Sequence, residues 1–176
     1  MMKKVRMATV WLDGCSGCHM SLVDIDERIL DIAPRIELVH SPLVDTKEFP
    51  KDVDVVLVEG AVSSEEDREK ARILRERSNL VIALGDCAVT GNVPAMRNGC
   101  SVESLLQRAY DENATADRQR PSEGIPPLME KARPLHEVVK VDLHIPGCPP
   151  SNDLIFHAIA ELLENRIPDL TGVRFG

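Results

Sequence analysis

A buried strand that ends in a pair of cysteines constrains this chain more than any other feature. Residues 5–12 (VRMATVWL) are mostly apolar and partly β-branched, and residues 13–19 (DGCSGCH) follow at once. A helical pattern begins near Met20 and extends to about Leu30. Strand, glycine-rich turn and helix in this order predict that Cys15 and Cys18 lie at the carboxyl end of a parallel strand. In open α/β sheets, ligands and cofactors bind at that edge.

The rest of the chain continues the alternation of strands and helices. Further strands are predicted at 35–40, 53–60, 79–85 and 138–145, and helices at 64–77, 101–110 and after Ser151 or Asn152. The pattern predicts an α/β, flavodoxin-like three-layer sandwich whose five parallel strands have the order 2-1-3-4-5. We expect one domain over 1–176, with an irregular, partner-facing excursion at about 111–134. Ser63 with Glu66, or Ser64 with Asp67, is expected to cap the helix at 64–77.

Composition limits the classes of function. The hydrophobic fraction is 43% and the charged fraction 28%, which is typical of a globular protein. The net charge of −8 argues against binding to a nucleic-acid backbone. No apolar run has the roughly 18–20 residues of a membrane span, and the first residues lack the pattern of a signal peptide. We therefore expect a cytoplasmic protein, in which five cysteines indicate metal or redox chemistry.

Four of these cysteines follow predicted strands. Cys15 and Cys18 follow the first strand, Cys87 the fourth and Cys148 the fifth. Because parallel strands end at the same edge, the four thiolates are expected to converge there and to bind a metal cofactor. They could hold a 4Fe–4S cluster, form a tetrahedral zinc site, or include a redox dithiol. Structural zinc sites more often combine two local cysteine pairs, and here only one pair is local, which favours the cluster.

Four neighbouring residues have roles that the sequence leaves open. Cys100 is expected to be a spare or packed thiol, because Cys87 stands directly at a strand end. Glu59 either contacts a partner subunit or lines a proton route, or else it caps the turn that follows the strand. Asp13 and His19 either act on the cofactor or a subunit interface, or have ordinary turn and helix-start roles.

Four motifs together resemble the small, electron-transferring subunit of nickel–iron hydrogenases. They are CSGC at residues 15–18, VEGA at 58–61, GDCA at 85–88 and PGCPP at 146–150. The segment WLDGCSGCHMSL at 11–22 most resembles the short type found in soluble, NAD-reducing (bidirectional) hydrogenases, and we expect no second cysteine domain of the kind that longer small subunits carry. The related quinone-reductase subunit of complex I usually begins its motif with adjacent cysteines, whereas Ser16 and Gly17 separate them here.

The resemblance implies a cofactor, an activity and partners. It implies a 4Fe–4S cluster held by Cys15, Cys18, Cys87 and Cys148, next to a nickel–iron centre in a separate large subunit. It also implies diaphorase subunits with iron–sulfur clusters, FMN and NAD, and hydrogen oxidation coupled to NAD reduction. The alternatives are a complex I-like cluster subunit and a flavin-binding, flavodoxin-like module. An FMN in this chain is possible but not expected, since only Ser16 and Ser21 supply hydroxyls near the first turn.

Overall fold

The computed structural model describes residues 3–173 and Phe175, and its elements alternate along the chain. The strands are β1 (Val5–Trp11), β2 (Ile36–His40), β3 (Val53–Glu59), β4 (Val62–Ser64), β5 (Ser78–Leu84), β6 (Leu128–Arg133) and β7 (Leu143–Ile145). The helices are α1 (Gly17–Val23), α2 (Ile29–Ile32), α3 (Glu65–Arg77), α4 (Asp86–Thr90), α5 (Asn92–Ala95), α6 (Val102–Leu106) and α7 (Asn152–Leu163). None of the described helices has the length and apolar character needed to cross a membrane.

Five strands form a single parallel sheet in the order β2-β1-β3-β5-β7. Counted among the sheet strands alone, this is the predicted order 2-1-3-4-5, so the flavodoxin-like prediction is confirmed. The central strand β3 is buried along almost its whole length. A strand that is covered on both faces has a nearly continuous apolar sequence, and for this reason the sequence predicts a strand at residues 53–58.

The alternation of side chains along β3 separates the two layers of the core. Val55 and Leu57 face the layer that contains α1 and α7, with Ile155 among its fully buried members. Val56 and Val58 face the layer that contains α3 and α4. This period of two is the geometry of a strand, and it lets one sheet support helices on both sides. Packing on both faces therefore holds the sheet rigidly, including the edge at which the cysteine-bearing turns begin.

Helix α3 begins as one of the two predicted capping patterns requires. The Ser64 hydroxyl accepts the Asp67 backbone N–H, and the Asp67 carboxylate accepts the Ser64 backbone N–H. This reciprocal pair is a capping box, and it satisfies both N–H groups at the start of the helix. Of the two predicted possibilities, the structure therefore selects Ser64 with Asp67.

Two predicted elements are shorter than expected. The helix predicted from Met20 to about Leu30 ends at Val23, because Asp26 adopts a left-handed backbone conformation (φ 60°) that interrupts it. Two 3-10 turns and the short α2 follow, and Leu30 is 70% exposed rather than buried. The strand predicted at 138–145 is confined to Leu143–Ile145, since only these last residues pair with β5.

The excursion at 111–134 is irregular only in part. Its last residues form β6, which pairs antiparallel with the short β4 outside the main sheet. The Asn98 side chain fixes this strand, because it accepts the Ala132 N–H and donates to the Ala132 carbonyl. Arg97 adds hydrogen bonds to the carbonyls of Ser63 and Met129. The segment after Cys87 is thus tied to the excursion, a pairing between distant residues that no local pattern indicates.

Candidate functional site

The strands that precede the cysteines end in one row across the sheet. Trp11 pairs with Glu59, Glu59 with Leu84, and Leu84 with Ile145. The turn after each of these strands except β3 carries one or two of the predicted ligands. In sheet order, the edge therefore presents Cys15 and Cys18, then Glu59, then Cys87, then Cys148.

The four cysteines predicted as ligands are all free thiols, and they differ in exposure. Cys18 is buried and belongs to the core layer of α1 and α7, whereas Cys87 is half-buried. Cys15 and Cys148 are exposed. Cys100 follows the 3-10 turn Met96–Gly99, away from a strand end, and is exposed. The choice of Cys87 over Cys100 as the third ligand stays a prediction.

Gly85 brings the turn after β5 against the first cysteine pair. Its φ of +80° is a conformation that side chains rarely adopt, and a Cβ at this position would lie 2.2 Å from the Cys18 Sγ. Such a distance is far below van der Waals contact, so only glycine allows this approach. Gly17 also lies close to the site, since its Cβ position is 3.3 Å from the Cys15 Sγ and 3.9 Å from Pro149 Cβ.

Hydrogen bonds join the turn that carries Cys87 to the turn that carries Cys148. The Asp86 N–H donates to the Gly147 carbonyl (2.9 Å), and the Gly147 N–H donates to the buried Asp86 carboxylate (2.7 Å). The Ser21 hydroxyl of α1 donates to the Pro150 carbonyl (2.5 Å), which connects the first cysteine turn to the last. The three cysteine-bearing turns are thereby fixed relative to one another before any cofactor binds.

A buried pair, His19 and Glu59, stabilises the turn that carries Cys15 and Cys18. The Glu59 carboxylate accepts the His19 backbone N–H (2.9 Å), and its Oε2 lies 2.5 Å from the ring Nδ1. Both residues are almost completely buried, and the Trp11 ring packs edge-on against the imidazole. Glu59 and His19, whose roles the sequence left open, therefore anchor α1 to the end of β3. Asp13 has a turn role, because its backbone forms an isolated bridge with Ala61.

The electrostatics of the edge disfavour thiolates in the absence of a cation. Burial raises the pKa of the Cys18 thiol, and the negative charge of Glu59 and of the other three cysteines raises this pKa further. Burial also raises the pKa of the Cys87 thiol, as do Cys148 and Cys15. The mutual effects indicate that the four sulfurs lie within electrostatic range of one another. A positively charged metal centre would offset this concentration of negative charge.

One donor that sequence reasoning missed points at a cysteine sulfur. The Asn92 side-chain amide donates to the Cys148 Sγ at 3.4 Å. The Val93 backbone amide partly opposes the rise that burial causes in the pKa of the Cys87 thiol. The dipeptide Gly91-Asn92 is a turn signal that could have marked this segment. Its contact with Cys148, 56 residues further along the chain, could not have been inferred from the sequence.

The donor set fits an iron–sulfur cluster. Four free thiols from three turns, with an amide donor beside one of them, provide the ligands and a hydrogen bond of the kind that such clusters use. Within residues 3–173 and 175, no three Cys, His, Asp or Glu side chains are grouped closely enough to hold a single metal ion.

Fold and site together define an α/β domain with a cysteine-lined cofactor edge, and comparison with known proteins assigns its family. The chain belongs to the family described as NADH ubiquinone oxidoreductase, 20 kDa subunit, whose model matches residues 15–162. The matched range contains the four predicted ligands.

Individual relatives are hydrogenase subunits, which confirms the resemblance seen in the sequence. The chain is 42% identical over 168 residues to the G subunit of the vhu F420-non-reducing hydrogenase of Methanocaldococcus jannaschii, covering 94% of this chain and 58% of that protein. It is 42% identical over 172 residues to the delta subunit of the NAD-reducing hydrogenase HoxS of Cupriavidus necator, covering 95% and 82%. The more distant relative from Archaeoglobus profundus (27% identical, 93% and 57% covered) is named as an iron-sulfur subunit of an F420-non-reducing hydrogenase. The chain spans 54% to 60% of the methanogen relatives that it matches at 40% to 42% identity.

Among solved structures, a chain of an NAD+-reducing [NiFe]-hydrogenase in the H2-reduced state superposes with a TM-score of 0.95. The sequence identity is 37%, and the match covers 99% of this chain and 100% of that chain. The fold prediction and the family resemblance are therefore both confirmed.

The Gly85→Ala substitution tests the close approach of the β5 turn to Cys18. Adding a Cβ forces the turn or Cys18 to move, so we expect the free energy of unfolding to fall by about 3 kcal/mol or more. Gly124→Ala is the matched control, because Gly124 also has a positive φ (70°) but nothing lies within 4 Å of its Cβ position. It is expected to cost only about 1–2 kcal/mol of backbone strain. Equal losses in urea unfolding of the two variants would contradict the steric argument.

The Glu59→Ala substitution tests the buried pair. It removes the acceptor for the His19 backbone N–H and leaves the imidazole unpaired in the core, so we expect a loss of about 3–5 kcal/mol in the free energy of unfolding. Glu66→Ala provides the control, since Glu66 lies exposed on α3 and pairs with Lys70. That change is expected to cost less than about 0.5 kcal/mol. If chemical denaturation finds the two variants equally stable, the pair does not anchor the turn.

Proposed function

We propose that the chain is the electron-transfer small subunit of an NAD-reducing nickel–iron hydrogenase, acting in the cytoplasm. It holds the 4Fe–4S cluster that lies proximal to a nickel–iron centre, which a separate large subunit carries. Electrons from hydrogen pass through this chain to diaphorase subunits with iron–sulfur clusters and FMN, where NAD is reduced. The overall reaction is H2 + NAD+ = NADH + H+, and it is reversible.

One observation carries the proposal: four cysteines from three strand ends lie at one edge of a parallel sheet, in a chain that superposes on an NAD+-reducing [NiFe]-hydrogenase chain over its full length. Support comes from the exposure of the thiols at this edge, since Cys15 and Cys148 are exposed, Cys87 is half-buried and Cys18 is buried. Such a site is suited to holding a redox centre rather than to converting a substrate.

Within this site, each group has a distinct role. The proposed ligands of the cluster are Cys15, Cys18, Cys87 and Cys148. Such a cluster accepts and releases one electron at a time. Gly85 and Gly17 admit the sulfurs close to the backbone, and the side-chain amide of Asn92 donates to the Cys148 sulfur. The His19–Glu59 pair fixes the first turn, which limits the rearrangement of ligands when the charge of the site changes.

The surface around the cysteines supports a partner of apolar character. Trp11 at the end of β1 is 39% exposed, Met20 in α1 58%, and Val93 and Met96 after Cys87 61% and 79%. Each of these residues belongs to a segment next to a proposed ligand. Large apolar side chains held in water near a functional edge are typical of subunit interfaces. We propose that this surface meets the large subunit, so that the cluster lies close to its electron donor.

The identity of the electron acceptor has a second candidate. The 42% identity to the vhu F420-non-reducing hydrogenase subunit equals that to the NAD-reducing delta subunit. An electron relay to a partner other than an NAD-reducing diaphorase would use the same cysteine edge. Hydrogen-dependent reduction of NAD by the purified complex separates the two, since only the first candidate predicts it.

Metal analysis of the anaerobically purified chain tests the cluster directly. We expect about four iron and four acid-labile sulfide per chain, and we expect Cys148→Ser to abolish or convert the cluster because one of its four ligands is lost. Cys100→Ser is the matched control and should leave iron and sulfide unchanged. Zinc without sulfide contradicts the proposal, as does a stoichiometric flavin spectrum without iron, which would support the flavodoxin-like alternative.

In the assembled hydrogenase, the same Cys148→Ser variant separates relay from assembly. Hydrogen-dependent NAD reduction should fall at least about tenfold, while the nickel and iron content of the partner subunit stays at the level of the Cys100→Ser complex. An equal loss of turnover and of partner nickel would mean that the cysteine serves assembly of the partner instead of electron transfer.

A further inference from the structure

The segment that joins α4 to α5 contacts two of the cysteines. Gly91 closes α4 through a hydrogen bond from its N–H to the Cys87 carbonyl (3.0 Å). Asn92, the first residue of α5, donates its side-chain amide to the Cys148 Sγ at 3.4 Å. One short segment therefore connects the cysteine that follows β5 with the cysteine that follows β7.

Two consecutive residues of this segment have a positive φ. Gly91 has a φ of +86° and Asn92 a φ of +29°. Glycine adopts such a conformation at little steric cost, and asparagine is one of the few other residues that tolerate it. At position 92 the chain therefore combines this backbone conformation with a side-chain donor, which glycine would lack.

We propose that Asn92 is a positioning residue that raises the reduction potential of the cluster through its hydrogen bond to Cys148, an inference that rests on the proposed function. Reduction adds one electron and no bond forms or breaks, so the sulfurs of the reduced site carry more negative charge. An N–H donor interacts more strongly with the more negative sulfur, and hence stabilises the reduced form relative to the oxidised form.

Variants at position 92 separate the donor from the backbone conformation. Asn92→Gly keeps the left-handed turn and removes the donor, whereas Asn92→Asp keeps the shape and replaces the amide with a carboxylate. We expect both to lower the midpoint potential, and Asp to lower it more, because it adds a negative charge beside the sulfur. For the loss of one hydrogen bond we expect about a tenfold decrease in the equilibrium constant for reduction, which is about 59 mV for one electron.

The measurement is a dithionite titration of the full chain, with redox mediators, followed by the electron paramagnetic resonance signal of the reduced cluster. Asn165→Gly is the matched control, because Asn165 is also left-handed (φ 55°) but lies after α7, beyond the last of the cysteines in the chain. Its potential should equal that of the wild type. Iron and sulfide are determined for every variant, so that potentials are compared only between chains with equal cluster content.

Each outcome decides the inference. Lower potentials for Asn92→Gly and Asn92→Asp at full cluster content support it. Unchanged potentials at full content overturn it, and so does loss of the cluster from both variants, since Asn92 would then serve assembly. A wild-type chain without iron and sulfide contradicts the proposed function itself, which distinguishes that failure from a failure confined to Asn92.

Discussion

The parallel pairing that aligns the last residues of β1, β3, β5 and β7 is the constraint on which the site depends. The row consists of Trp11, Glu59, Leu84 and Ile145, so the segments that follow these strands all begin at the same edge of the sheet. A parallel ladder fixes register through evenly spaced backbone hydrogen bonds, and burial on both faces prevents a slip, because a shift of one residue would turn apolar side chains to the wrong layer. The pairing of the strand backbones brings cysteines that are far apart in sequence to one edge of the sheet.

The turns after these strands have structures that only certain residues allow. Glycine is required at Gly85 because the Cys18 sulfur occupies the place of its Cβ, and Gly147 is held by the carboxylate of Asp86. Glu59 stabilises the first cysteine turn, because its carboxylate accepts the His19 backbone N–H and contacts the His19 ring. A rigid edge of this kind suits electron transfer, since a site that changes little between oxidation states needs little reorganisation. Burial and the neighbouring acidic groups disfavour thiolates at this edge, and a cationic cofactor would offset that penalty.

Much of the fold could be predicted from the sequence because its strands are short apolar runs separated by helices. The sheet order and the strand-end positions of the four cysteines followed from that pattern. The interruption at Asp26 could not be foreseen, since the apolar spacing of residues 22–30 suits a continuous helix. The β4–β6 pairing and the His19–Glu59 contact join residues that are distant in sequence, so they depend on tertiary structure. The same holds for Asn92 and Cys148.

Anomalous diffraction at the iron absorption edge, from anaerobically grown crystals of the full chain, tests the central claim most directly. We predict one compact group of four iron atoms at the carboxyl edge of the sheet, with the Sγ atoms of Cys15, Cys18, Cys87 and Cys148 each bonded to a different iron. A single metal ion at this edge, or an iron bonded to Cys100 in place of one of the four, would contradict it.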